Sequence, residues 1–156
     1  MSSDSSTKAI KGIDIDAVSQ WLSNNIHGAK APFEFKLIAA GGSNLTFRVS
    51  DSDGQVWALR RPPVAARLAT AHDMQREWKI MSALKANSEV PVPAMNAYCD
   101  DIEVNQAPFY VMQFVDGLII RDQSSVTQLT AEQCLTATHS LVDVQVAFHT
   151  VDIDRI

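Results

Sequence analysis

The sequence predicts an α+β fold: a five-stranded antiparallel sheet that carries one packed helix, with further helices before and after it. Three observations predict it. Short runs alternate apolar and polar residues, as in Phe33-Glu34-Phe35-Lys36-Leu37-Ile38 and Leu45-Thr46-Phe47-Arg48-Val49, which is the period of a half-buried strand. Turn signals, Gly41-Gly42-Ser43-Asn44 and Asp51-Ser52-Asp53-Gly54, join consecutive runs, so neighbouring strands pair as hairpins. Longer stretches repeat apolar residues at three- and four-residue spacing, the helical period.

Residues 1–12 open with a serine-rich, polar stretch without the apolar core of a secretory signal, and are expected to form a disordered tail. Residues 13–26 form the first helix. Asp14 and Asp16 suit its positive end, Ile15, Val18, Trp21 or Leu22, and Ile26 form its stripe, and Gly28 closes it. The strand runs around 33–38 and 45–49 follow, then a third strand over 55–61, which Pro62-Pro63 ends because proline cannot continue a ladder. A second helix is expected over 70–87, with Thr70 and Asp73 as its cap and Met74, Glu77, Trp78, Met81, Leu84 and Lys85 on one face. Val90-Pro91-Val92-Pro93 reads as an extended connector into a fourth strand over 95–99. The fifth strand, 108–115, is apolar on both faces and belongs inside the sheet. Thr130-Ala131-Glu132-Gln133 is a capping box that opens a helix to about 149.

The chain has 156 residues, 46% of them hydrophobic and 20% charged, enough for one domain with a core. A net charge of −5 argues against a nucleic-acid surface, which needs a basic stripe. No apolar run approaches the roughly 20 residues of a membrane span. Cys99 and Cys134 show neither metal spacing nor a disulfide framework, which fits a reducing, cytoplasmic setting.

The candidate chemistry gathers around the first hairpin. Glycines let backbone N–H groups approach a ligand closely, and a phosphate is the usual ligand for such a loop; a Gly-Gly hairpin also forms from turn chemistry alone, with no ligand. On the third strand, Ala58 and Arg60 share one face while Trp57 and Leu59 share the other. One face thus offers a small residue, over which a flat ring could lie, then a cation for a phosphate. Glu77 sits on the apolar stripe of the second helix. A carboxylate facing the core needs a partner, and Arg60 is a natural one, since its fork can hold a carboxylate and phosphate oxygens. The alternative is a solvated Glu77 at the edge of the stripe. Arg48, Arg67, His72, His139 and His149 read as surface or structural residues, and Met112 and Phe114 as core.

Together these residues resemble the aminoglycoside phosphotransferase family, which has a protein-kinase-like fold, and within it the branch of kinase-like domains fused to acyl-CoA dehydrogenases. The likeness is carried by Gly41-Gly42-Ser43-Asn44-Leu45-Thr46-Phe47, Leu59-Arg60-Arg61-Pro62-Pro63, Ala71-His72-Asp73-Met74-Gln75-Arg76-Glu77, Val90-Pro91-Val92-Pro93 and the run from Pro108 to Gly117. The resemblance implies a nucleotide-binding N-terminal lobe over 13–117, followed over 118–156 by a linker and the first helix of a truncated second lobe. It makes Gly41, Gly42, Ser43 and Asn44 the phosphate loop. Arg60 takes the place usually filled by a lysine, Glu77 pairs with it, and Ala58 lies beside it. Gln113, Phe114 and Val115 become the hinge whose backbone would contact adenine. The implied cofactors are ATP and Mg2+, the implied reaction transfer of the γ-phosphoryl to a hydroxyl on an unidentified small molecule.

The family's His-Gly-Asp catalytic loop does not occur in the sequence. The expectation is therefore no catalytic and no metal-ligating residue in this chain, and no activity from it alone. A non-catalytic nucleotide-binding or protein-interaction module is the other reading. The helix over 130–149 carries Leu135, Thr138, Leu141, Val142 and Val146 at helical spacing, and Val144, Ala147 and Phe148 widen that apolar surface. It is expected to bury that surface against a second copy, making a homodimer.

Overall fold

In the computed structural model, which describes residues 10–41, 44–64, 74–120 and 122–156, the elements run in this order: α1 (Ile15–Asn25), β1 (Glu34–Ala40), β2 (Leu45–Ser50), β3 (Val56–Arg61), α2 (Met74–Asn87), β4 (Met95–Cys99), α3 (Ile102–Asn105), β5 (Phe109–Gln113), α4 (Gln123–Val126) and α5 (Ala131–His149). A short 3-10 turn, Ile153–Arg155, follows. The five strands form one antiparallel sheet in the order β1-β2-β3-β5-β4. The α+β fold with this sheet is the one the alternating runs predict. β5 lies between β3 and β4, where a strand apolar on both faces belongs.

The chain divides into two compact units. The first takes the residues up to Lys79 together with Met95–Phe114, and the second takes Ile80–Ala94 and Val115–Ile156. In the first unit, one face of the sheet is the core. Phe47, Val49, Trp57, Leu59, Phe109 and Val111 point into it, and α1 adds Val18 and Leu22. Trp21 meets Phe109 edge to face at 4.8 Å, a favoured aromatic geometry. Asp14 caps α1 by accepting from the Ala17 N–H.

Arg61 anchors this side. It is buried, and burial lowers its pKa. Its guanidinium donates to the carbonyls of Gly12, Asn105 and Pro62. The Asn105 side chain, also buried, accepts from Asp14 N–H at 2.9 Å. Residues 10–12, expected in the disordered tail, are thus tied to the fold: Ile10 packs against the core, and Gly12 has φ +93°. A side chain at Gly12 would be strained and would press on Leu45 and Val64. Asp51 holds the predicted turn at 51–54, accepting from the N–H groups of Lys30, Asp53 and Gln55.

Several boundaries differ from expectation. The predicted cap at Thr70 and Asp73, and Arg67 and His72, lie outside the described residues. β5 ends at Gln113, not Val115. The four-residue α3, capped by Asp101, lies between β4 and β5, where no element is expected from the sequence.

In the second unit, α5 begins with the capping box the sequence predicts. Thr130 Oγ1 accepts from Gln133 N–H, and Gln133 Oε1 accepts from Thr130 N–H. No residue of α5 is buried, and Leu135, Leu141, Val142, Val146 and Phe148 are all exposed. Among the described residues no helix is long and apolar enough to cross a membrane.

Candidate functional site

The face of the sheet opposite the core carries the candidate site. Cross-strand partners share a face, so the register sets Thr46, Arg60, Tyr110 and Tyr98 side by side across β2, β3, β5 and β4. Arg48, Ala58 and Met112 form the adjacent row. Ala58 and Arg60 therefore do share a face, as strand alternation requires. Ala58 is buried and Arg60 half-buried.

The start of α2 brings Glu77 to this face. Glu77 Oε2 stands 3.4 Å from Arg60 Nε, and both side chains are 35% exposed. The pair is present, one of the two readings that periodicity left open, and it lies at the rim rather than in the core. Two further donors meet the same carboxylate. Asn44 Nδ2 donates to Oε1 at 3.1 Å, and the Tyr110 hydroxyl donates to Oε2 at 3.0 Å. Asn44 and Tyr110 are 6% and 2% exposed. Burial pushes the Tyr110 phenol well above its ordinary range; Arg60 opposes this, while the charge and hydrogen bond of Glu77 reinforce it. Trp78, next to Glu77, lies against Tyr98 and Tyr110 with ring centroids 6.0 and 6.3 Å away. These rings flank the donors.

At the glycine turn, Gly41 N–H donates to the Asn44 carbonyl at 3.2 Å and closes the hairpin. Gly42 and Ser43 lie outside the described residues. Along the adjacent row, Arg48 is more than a solvated charge. It donates to Ser50 Oγ at 3.2 Å, and its guanidinium lies 5.7 Å from the Phe114 ring centroid, within cation–π range. Phe114 is half-buried there, whereas Gln113 and Val115 are exposed; Val115 falls in the second unit.

The structure thus brings Asn44, Arg60 and Glu77 together, with Ala58 beside Arg60, and sets Phe114 against Arg48. Sequence reasoning missed Tyr110, which it took as part of an apolar strand. The available signal was a hydroxyl-bearing tip on an otherwise apolar run; placing it needed the β3–β5 register. Among the described residues, no group of three or more His, Cys, Asp or Glu side chains could hold a metal ion.

The model of the phosphotransferase enzyme family matches residues 34–155. A crystal structure from Ralstonia eutropha JMP134, of a protein assigned as an aminoglycoside phosphotransferase, superposes with a TM-score of 0.70 at 30% identity, covering 90% of this chain and 39% of that one. Acyl-CoA dehydrogenase family member 10 of Mus musculus is 36% identical over 110 residues, and family member 11 of Gallus gallus is 35% identical over 115. These matches cover 70% and 74% of this chain, which spans only 10% and 14% of the two relatives. The dehydrogenase names describe those longer proteins.

Proposed function

The chain belongs to the phosphotransferase enzyme family, and on that premise we propose that its first unit binds ATP, as the nucleotide-binding lobe of a small-molecule phosphotransferase. Such an enzyme moves the γ-phosphoryl of ATP to a hydroxyl acceptor. The observation that carries the reading is the shared face of Ala58 and Arg60, with Glu77 held 3.4 Å from Arg60 Nε.

Each residue then has a role its chemistry suits. Ala58, buried and small, leaves room for a flat base. Arg60 offers a fork that matches phosphate oxygens, and Glu77 orients it. The turn at 41–44 approaches the phosphates, and the backbone of Gln113 and Phe114 meets the edge of the base. Mg2+ accompanies ATP in this family, and the proposal includes it without naming ligands for it in this chain. The sequence also lacks a His-Gly-Asp stretch, and phosphoryl transfer needs a carboxylate to orient the acceptor. The proposal therefore gives this chain nucleotide binding without transfer of its own. That lack equally favours a second reading, a non-catalytic nucleotide-binding module. Two unpaired cysteines suit the cytoplasmic setting included in the proposal.

Titration of the 156-residue chain with ATP, followed by calorimetry, tests the reading. Binding at micromolar to millimolar concentration is expected, weakened about tenfold or more in Arg60→Ala, since a charged hydrogen bond contributes about 1.5–3 kcal/mol. No binding at millimolar ATP would overturn it. Transfer of labelled phosphate to small alcohols by this chain alone would overturn the assignment of catalysis to residues it lacks.

A further inference from the structure

We propose that Asn44 and Tyr110 are positioning residues: they fix the Glu77 carboxylate, which in turn orients Arg60 toward an anionic ligand of the triphosphate class. The inference deepens the nucleotide reading above and rests on it for the identity of the ligand.

A carboxylate that is one-third exposed has several rotamers open to it. Glu77 is held by donors from two elements. Asn44, at the foot of the glycine turn, takes Oε1 at 3.1 Å, and Tyr110, on β5, takes Oε2 at 3.0 Å. Both donors are neutral, so they fix the carboxylate without cancelling its charge. That charge remains available to Arg60.

Arg60 does not use its fork on Glu77. It faces the carboxylate through Nε alone, at 3.4 Å, as a charge pair rather than a hydrogen bond, for Nε is buried without a hydrogen-bond partner, whereas an arginine satisfied by a carboxylate commonly makes two parallel hydrogen bonds of about 2.7–2.9 Å. Among the described residues, Glu77 is its partner, and its terminal N–H groups meet no other acceptor. A cation aligned by one edge and open at the other suits an incoming anion. Asn44 Oδ1, buried and without a partner, marks the same place as unfinished. The Asn44 amide is turned to serve Glu77 although its own oxygen then lacks a donor. Because Asn44 ends the glycine turn, the bond also ties the position of the turn to Glu77.

Tyr110→Phe removes the hydroxyl and keeps the ring beside Trp78. Asn44→Ala is the second variant. Both are compared with the wild-type 156-residue chain by two measurements. The first is hydrogen exchange of the Arg60 Nε–H, followed by NMR, which needs no ligand. Each variant is expected to accelerate it about fivefold, the factor matching the one hydrogen bond that the Glu77 carboxylate loses and with it the hold on the charge that faces Nε. The second is affinity for ATP and for adenosine. Tyr110→Phe is expected to weaken ATP about fivefold while leaving adenosine unchanged, and to add nothing in an Arg60→Ala background.

Unchanged Arg60 exchange in both variants would overturn the positioning role, whatever the nucleotide result. Equal weakening of ATP and adenosine, or an undiminished effect in Arg60→Ala, would overturn it too, because a general structural role predicts those outcomes. Accelerated exchange in a chain that binds no ATP at millimolar concentration would support the positioning of Arg60 and overturn the nucleotide reading instead.

Discussion

Removing the Glu77 carboxylate would strand two donors at once, the buried Tyr110 hydroxyl and the Asn44 amide. A buried group left without its partner costs about 1–3 kcal/mol, and partial exposure of Glu77 lets water recover some of that. Glu77→Ala is therefore expected to destabilise the chain by about 2 kcal/mol, a drop of several degrees in Tm. An unchanged melting temperature would mean that water replaces the carboxylate fully. Tyr110 adds a pH signature. Its pKa is raised from 10.0 in the folded state, so above pH 10 the folded chain holds a proton that the unfolded chain releases. The stability contributed is complete below pH 10 and is lost as pH climbs toward the folded value. Urea midpoints measured from pH 9 to 11 should fall more steeply in wild type than in Tyr110→Phe. Parallel curves would exclude an effect of this hydroxyl.

At the scale of elements, Leu22 shows why packing, rather than propensity, holds α1. It is fully buried against the sheet, and Leu22→Ala is expected to cost about 3 kcal/mol in chemical denaturation. A loss below about 1 kcal/mol would mean that the site collapses around the smaller residue. The stripe containing Leu22 was legible because it repeats over several turns, and the strands were legible because alternation has a period of two. Those same two periods placed Arg60 and Glu77 each on a defined face but left a solvated Glu77 open; the resemblance to the family implied the pairing. Other parts were hidden for physical reasons. α3 is four residues long, too short to show a helical period. Arg61 binds carbonyls 49 and 44 residues away, and local spacing carries no trace of such partners. Asn44 reads as a turn residue, and its bond to Glu77 depends on how α2 docks.

Across the whole molecule, the apolar side chains of α5 contrast with the packed sheet. Leu141 is 68% exposed and Phe148 55%, and surfaces of this kind are usually covered in stable proteins. We propose that a second copy of the chain covers α5, with C2 symmetry as the commonest closed arrangement. Light scattering should then show a dimer, and Leu141→Asp should convert it to monomer without loss of helicity. A soluble monomer at high concentration in the wild type would refute the dimer.

Arg60 and Arg61 are neighbours in sequence whose side chains leave β3 on opposite faces. One faces a carboxylate at a solvated rim, and the other sits among carbonyl oxygens with no acidic partner among the described residues. Dissolved electrolyte distinguishes them. At 1 M salt the Debye length contracts to about 3 Å, which screens exposed charge pairs and scarcely touches buried dipoles. Adding potassium chloride should thus loosen the first arginine while the second stays fixed, so that Nε–H exchange accelerates at Arg60 and not at Arg61. Equal acceleration at both would mean that water reaches the Gly12 and Asn105 carbonyls. The sheet would then have one ionically tunable side and one side indifferent to the medium, set by adjacent residues of the same type.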